Sequence, residues 1–224
     1  MNNLSLTKLG GQCLIAGGII SFIPFLLQIL IGGPPPDNVN IFSFFANTTA
    51  EGGSLSILYT IMSTFGIALV MYGVSNLNSF LQGQGKDPLL SLGTFLFLIG
   101  NFAIMIAWSI DPAIIIAKDS ANIANMFISE MSMFCLFGPI AFLGSGLVSL
   151  VLAKKEFGNP IFMKISATLF FIVALVFLYT VFKIADPSTH NSESTVLPLF
   201  ASISIAQIVI LIWQFMVGLK MMKN

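Results

Sequence analysis

The chain has 224 residues, 56% of them hydrophobic and 8% charged, with a mean hydropathy of +0.96. Soluble domains carry about 25% charged residues, so a water-soluble globule is excluded and a membrane protein is the class that remains. Nine lysines balance nine carboxylates and no arginine occurs, which leaves no electrostatic basis for nucleic-acid binding.

With so few charges, the gaps between them delimit the elements. Six charge-free runs reach spanning length: 9–36, 52–85, 88–110, 131–153, 165–182 and 194–219. About 20 apolar residues make one crossing. The expectation is an all-α integral membrane protein, a single six-transmembrane-helix domain over residues 1–224. Transmembrane β-strands would instead alternate over about ten residues.

The first helix, 9–32, follows Lys8 and is longer than a signal-peptide core, without a small-residue cleavage pattern, so it reads as a retained anchor. Cys13, Gly17 and Ser21 fall four apart on it, a ridge that lets another helix approach closely. The outer loop 33–53 follows. Its centre, Ile41-Phe42-Ser43-Phe44-Phe45-Ala46, is too apolar for a solvated loop and too short to span, which places it at the headgroup boundary or over the bundle. Asn47-Thr48-Thr49 within it matches a glycosylation acceptor.

The second helix is expected over 54–76, with Ser75-Asn76-Leu77-Asn78 and Gln82–Gly85 as loop. The third, 89–110, carries Asn101 near mid-depth and ends at Asp111-Pro112. The fourth, 130–153, carries a second small-residue ridge of Ala141, Ser145 and Ser149, and also Gly138-Pro139 and Gly144-Ser145-Gly146. The fifth, 161–184, starts after Lys154-Lys155, with Lys164 as an interfacial anchor, and the sixth, 195–219, places Gln207 near mid-depth. Trp108 and Trp213, towards opposite ends of their helices, suit an aromatic belt.

The helices group as three hairpins, because Pro36-Asp37, Asp111-Pro112 and Asp186-Pro187 punctuate the chain at intervals of 74 and 75 residues. Asp-Pro favours a helix stop, since proline lacks an N–H and turns its predecessor away from the helical region. Lys8, Lys86, Lys154, Lys155, Lys220 and Lys223 fall on one side of this weave, Lys118 and Lys183 on the other. Cytoplasmic loops carry the lysine excess, so both termini are expected in the cytoplasm and the protein in the cell membrane.

Polar groups within apolar runs carry the functional information. Ser21, Asn101 and Gln207 share a depth and form a candidate polar midplane site for a small solute, with interhelical hydrogen bonding as the alternative. Pro24, Pro139 and Pro198, with the fourth-helix glycines, suggest a cavity opening outward. Asp111, Glu130, Lys183, Asp186, His190 and Glu193 form a candidate outer rim, read as solvated. His190 is the sole histidine, and Cys13 and Cys135 lie near opposite faces. Haem, metal and disulfide chemistry therefore lack ligands, and no cofactor is expected. No paired acid and base or nucleophile is visible, so the chain reads as non-catalytic.

The segment Phe137-Gly138-Pro139…Gly144-Ser145-Gly146-Leu147, the lysine loop, and Gly158-Asn159-Pro160 opening the next helix resemble uncharacterised six-helix prokaryotic membrane proteins classed as domains of unknown function. That resemblance implies architecture and no activity. Size and helix count are also similar to substrate-binding components of vitamin-uptake transporters, in which outer loops cap a ligand. Those proteins carry an alanine-rich motif on the first helix, where this chain has Cys13, Gly17 and Ser21. Two functions follow: an accessory or structural subunit of a larger membrane complex, joined to other subunits or to itself by its ridges, or a small-solute binding or transport protein with an outward cavity.

Overall fold

A computed structural model describes residues 5–33, 39–185 and 193–223. Among them the chain is all-helical: α1 (Leu6–Gly32), α2 (Ile41–Gly52), α3 (Ser54–Gly83), α4 (Pro88–Trp108), α5 (Asp111–Ile116), α6 (Ile123–Lys154), α7 (Pro160–Ala185) and α8 (Glu193–Lys223). Six of these, α1, α3, α4, α6, α7 and α8, are long and apolar enough to cross a membrane. Pro36-Asp37 and Asp186-Pro187 lie outside the described residues.

The spans pack as neighbours in a ring: α3 on α1, α1 on α8, α8 on α7, α7 on α6, α6 on α4, and α4 back on α3. Glycines make three seams in this ring: α1–α8, where a Cβ on Gly218 would sit 2.7 Å from the Gly11 carbonyl oxygen, and the two that join consecutive spans. Along α1 and α3, a Cβ on Gly66 would sit 2.6 Å from the Ser21 nitrogen, and one on Gly73 would sit 2.8 Å from the Gly10 carbonyl oxygen. Along α4 and α6, a Cβ on Gly93 would sit 3.0 Å from the Val148 nitrogen, and one on Gly100 would collide with the backbone of Ala141. Lipid supplies no hydrophobic force between helices, so close backbone approach is how such seams gain dispersion energy.

Gly144 faces α4, whereas Gly138 and Gly146 face α7 and seat the rings of Phe177 and Phe171. These glycines are filled by neighbouring groups, so they do not open the outward cavity expected from them. Both candidate ridges are likewise used inside the chain. Gly17 meets the Gly66 carbonyl and Ala141 meets Gly100, with Ser149 fully buried.

One apolar core gathers Leu14, Val74, Leu77, Leu90, Leu152, Met163 and Met221, so all six spans contribute at the end where Lys155 approaches the Gly85 carbonyl. Trp213 belongs to this core at 6% exposure, which removes it from the expected aromatic belt. A second core, at the opposite end, is built by α2 and α5 with α6, α7 and α8.

Three boundaries differ from the sequence expectation. α3 continues through Ser75–Asn78 to Gly83, because Leu77 and Leu81 stay on its buried face and Asn76 Nδ2 donates to the Tyr72 carbonyl at 2.9 Å. α4 stops at Trp108, and Asp111-Pro112 opens α5 instead of closing α4, proline being tolerated in a first helical turn. α6 starts at Ile123, a turn and more before Glu130. The segment read as an interfacial loop holds α2, whose Ile41, Phe42, Ala46 and Ala50 are buried against the bundle.

Candidate functional site

The residues expected at the midplane do not assemble into a site. Asn101 is half-buried and its Nδ2 donates to the Phe97 carbonyl of its own helix at 2.8 Å. Ser21 Oγ donates to the Gly18 carbonyl at 3.2 Å, again within one helix. Gln207 is half-buried, and no hydrogen bond links it to either of the others among the described residues. Asn101 stands on α4, which packs on α6 and α3, whereas Gln207 stands on α8, which packs on α1 and α7. For Asn101 and Ser21 a carbonyl one turn back on the same helix accepts the hydrogen bond, so neither donor needs a partner helix.

A different polar cluster forms at the end occupied by α2 and α5. α3 brings Tyr59, Thr60 and Ser63 onto its buried face, each 8% exposed. Thr60 Oγ1 lies 2.6 Å from Asp111 Oδ2, joining α3 to the first residue of α5. The same hydroxyl is 3.1 Å from the Ser56 carbonyl oxygen. Glu130, from α6, completes the cluster: its carboxyl and that of Asp111 are close enough to act on each other directly.

Local sequence explains the placement of Glu130. Ile123, Phe127, Met131 and Cys135 recur every four residues and are all buried, so one apolar row carries α6 past the acid without interruption. Glu130, adjacent to that row, is carried into the protein at 4% exposure. Phe42 and Ala46 of α2, Ile114 of α5 and Phe127 belong to the apolar core at this end. Asp111 and Glu130 are thus buried, 8% and 4% exposed, and the solvated rim expected for them is corrected. Glu130 Oε2 has no hydrogen-bond partner, a property it shares among the described residues with Thr94 Oγ1 and Trp213 Nε1. Those two stand on α4 and α8, and neither is ionisable.

The rest of the expected rim divides. Lys183 Nζ sits 5.9 Å from the centre of the Tyr179 ring on its own helix, a cation–π distance. Asp186 and His190 lie outside the described residues, as does the Glu193 side chain. A surface depression of about 460 Å³ lies at the same end, lined by Ser43, Asn47, Lys118, Asp119 and Ala124 among others. It is formed by α2, the segment between α5 and α6, and the start of α6, and lies away from the three midplane residues.

Thr60 was not legible as a site residue, because a single threonine in an apolar run carries no signal by itself. The signal available in sequence was the i, i+4 row Ile123, Phe127, Met131 and Cys135 beside Glu130, which marks that acid as helical and partly enclosed. Chemically, the cluster offers two carboxyls and one hydroxyl that can accept cations, protons or hydrogen-bond donors. No protein-family model, no curated protein and no solved structure matches the chain.

Proposed function

We propose that the chain is a non-catalytic multi-pass protein of the cell membrane that binds or carries a small cationic or hydrogen-bond-donating solute at the Thr60–Asp111–Glu130 cluster. The observation that carries this reading is the burial of two adjacent carboxyls between α3, α5 and α6. An ionisable group withdrawn from water in a membrane protein is costly, and its usual justification is a ligand or ion pathway. In this reading the spans pair as three hairpins, α1 with α3, α4 with α6 and α7 with α8. The lysine distribution supports placing both termini in the cytoplasm and the cluster on the outer side. Kinship with the six-helix prokaryotic membrane proteins that the chain resembles is part of the same proposal.

About 20 residues cross the hydrocarbon layer. Counted from Pro88 in α4 and back from Lys154 in α6, that distance ends near Trp108 and Phe134. Asp111 and Glu130 then fall about a turn beyond it, enclosed by protein at headgroup depth. A solute arriving from outside would meet α2 and α5 before the carboxyls.

The accessory-subunit reading draws in part on small-residue ridges that could join this chain to another. Gly17 and Ser21 instead meet α3, Ala141 meets α4 and Ser149 is fully buried, all within the same chain, so the solute reading is preferred. A thermal-shift screen of the purified protein against small amines, amino acids and alkali-metal salts tests it. A binder at about 100 times its Kd stabilises by about 2.7 kcal/mol. At least one amine or amino acid should raise Tm in the wild type and not in Asp111→Asn. No binder, together with a stoichiometric co-purifying membrane protein in native mass measurement, would favour the accessory subunit and defeat the proposal.

A further inference from the structure

The charge state of the Thr60–Asp111–Glu130 cluster can be argued separately from any solute. Asp111 and Glu130 are buried to 8% and 4% exposure and adjacent. The groups that act on them are each other and Thr60. Other titratable side chains stand on the elements packed here. Glu51 of α2 is exposed, Tyr59 of α3 is buried beside Thr60, and Lys118 and Asp119 between α5 and α6 are exposed. Cys135 lies more than a turn further along α6, and Lys183 of α7 is engaged at the Tyr179 ring. α4 contributes no ionisable side chain.

Two like charges at close range and out of water cannot both persist. Either a cation or a proton must accompany them. A hard metal cation asks for six or more oxygen ligands or a strict octahedron, and no group of three or more acidic, histidine or cysteine side chains occurs among the described residues. A proton needs only two oxygens.

We propose that Asp111 and Glu130 bind one exchangeable proton between them, and that the Thr60 hydroxyl adapts to its presence on either carboxyl. The proton converts carboxylate repulsion into an O–H···O hydrogen bond and relieves Glu130, whose Oε2 is otherwise without a partner. Thr60 Oγ1 has two neighbours, Asp111 Oδ2 at 2.6 Å and the Ser56 carbonyl at 3.1 Å, and a single hydrogen to donate. When Asp111 is ionised, Thr60 donates to it. When Asp111 carries the proton on its other oxygen, it donates to Glu130, and Thr60 divides its single hydrogen between the now less basic Asp111 Oδ2 and the Ser56 carbonyl. Rotation of one hydroxyl therefore serves both states without movement of a helix. The pair as a whole titrates, so the proton belongs to the dyad and not to one residue. This inference goes beyond the solute reading and holds whether or not a solute is moved.

Infrared difference spectroscopy of the full-length protein in lipid nanodiscs, titrated with pH, tests it with the proton itself as the probe. The wild type should show the C=O stretch of a protonated carboxylic acid at neutral pH, shifted in D₂O and lost at alkaline pH. Glu130→Gln and Asp111→Asn should each shift this band, the double variant should abolish it, and Thr60→Val should shift it without abolishing it. Replacing choline chloride by sodium or potassium chloride at fixed pH should leave it unchanged. The wild-type titration stands even if a variant fails to fold. Absence of a protonated band in the folded wild type, an unshifted band in both folded single variants, or its removal by an alkali cation at fixed pH would each overturn the proposal.

Discussion

The seam between α4 and α6 is the place where one added methyl group should have the clearest effect. At Gly100 a Cβ would lie 2.6 Å from the Ala141 Cα and 2.7 Å from its Cβ, against about 3.4 Å for ordinary contact. These obstacles belong to a helix backbone and cannot rotate away, so Gly100→Ala requires the helices to part by roughly 0.7–1 Å at this level. A gap of that size forfeits a quarter to a half of each dispersion well across the seam. Overpacking of this kind costs about 1–3 kcal/mol. Exchange of a mid-helix glycine for alanine returns about 0.5–1 kcal/mol, leaving a net loss of about 1–2 kcal/mol. Gly83→Ala supplies the control: Gly83 also lies in a helix, with nothing within 4 Å of its Cβ position. It should be neutral or slightly stabilising. Unfolding by SDS in mixed micelles reads the difference, which should move the folded-to-unfolded ratio about 5- to 30-fold between the two variants. Equal stability of Gly100→Ala and Gly83→Ala would refute the idea that backbone contact governs the seam.

Phe45 of α2 has ring centroids 4.7 Å from Phe200 and 5.8 Å from Phe127, and it is half-buried. Phe45→Ala should cost about 1.5–3 kcal/mol, less than the ~3–5 of a fully buried ring, with faster hydrogen exchange concentrated in α2. Asn101→Leu removes only a hydrogen bond to its own helix and should change stability by less than about 0.6 kcal/mol; a larger loss in the SDS titration would show that Asn101 has a partner on another helix. Asp87 caps α4 by accepting from the Leu89 and Leu90 nitrogens at 3.0 and 3.2 Å. Asp87→Ala should cost about 1 kcal/mol, while Asp87→Ser should recover most of it in the same assay.

The spans were legible because a charge inside hydrocarbon is expensive, so the lysines and acids of this chain mark helix ends. That same rule misplaced the start of α6. It treats Glu130 as a boundary, whereas the row Ile123, Phe127, Met131 and Cys135 carries the helix through it. The polar end of α3 was misread for a related reason. Gln82 looks like loop, yet its amide clamps the α3–α4 turn, with Nε2 donating to the Asp87 carbonyl at 2.8 Å and Oε1 accepting from the Asp87 nitrogen at 2.9 Å. The Thr60–Asp111 contact joins residues 51 positions apart, and nothing local in either segment announces it. Depth along a span predicted a site at Ser21, Asn101 and Gln207, but depth alone does not fix rotation about the helix axis. Each helix's rotation is set by where its glycines and bulky side chains find partners.

The α1–α3 and α4–α6 glycine seams also bear on the order in which the bundle is assembled. Each joins two consecutive spans, so the α1–α3 couple is complete in sequence before α4 is synthesised, and the α4–α6 couple before α7. Chains emerge and fold from the N-terminal end. A nascent chain halted after α6 would already hold both tight couples. α8 is different: it packs on α1 as well as α7, and its Gly218 meets the Gly11 carbonyl oxygen at a Cβ distance of 2.7 Å. This contact joins α8 to α1 and shuts the ring only once α8 has been made. Premature termination should therefore leave paired helices with an open flank, a form that membrane quality-control proteases can distinguish from the closed ring.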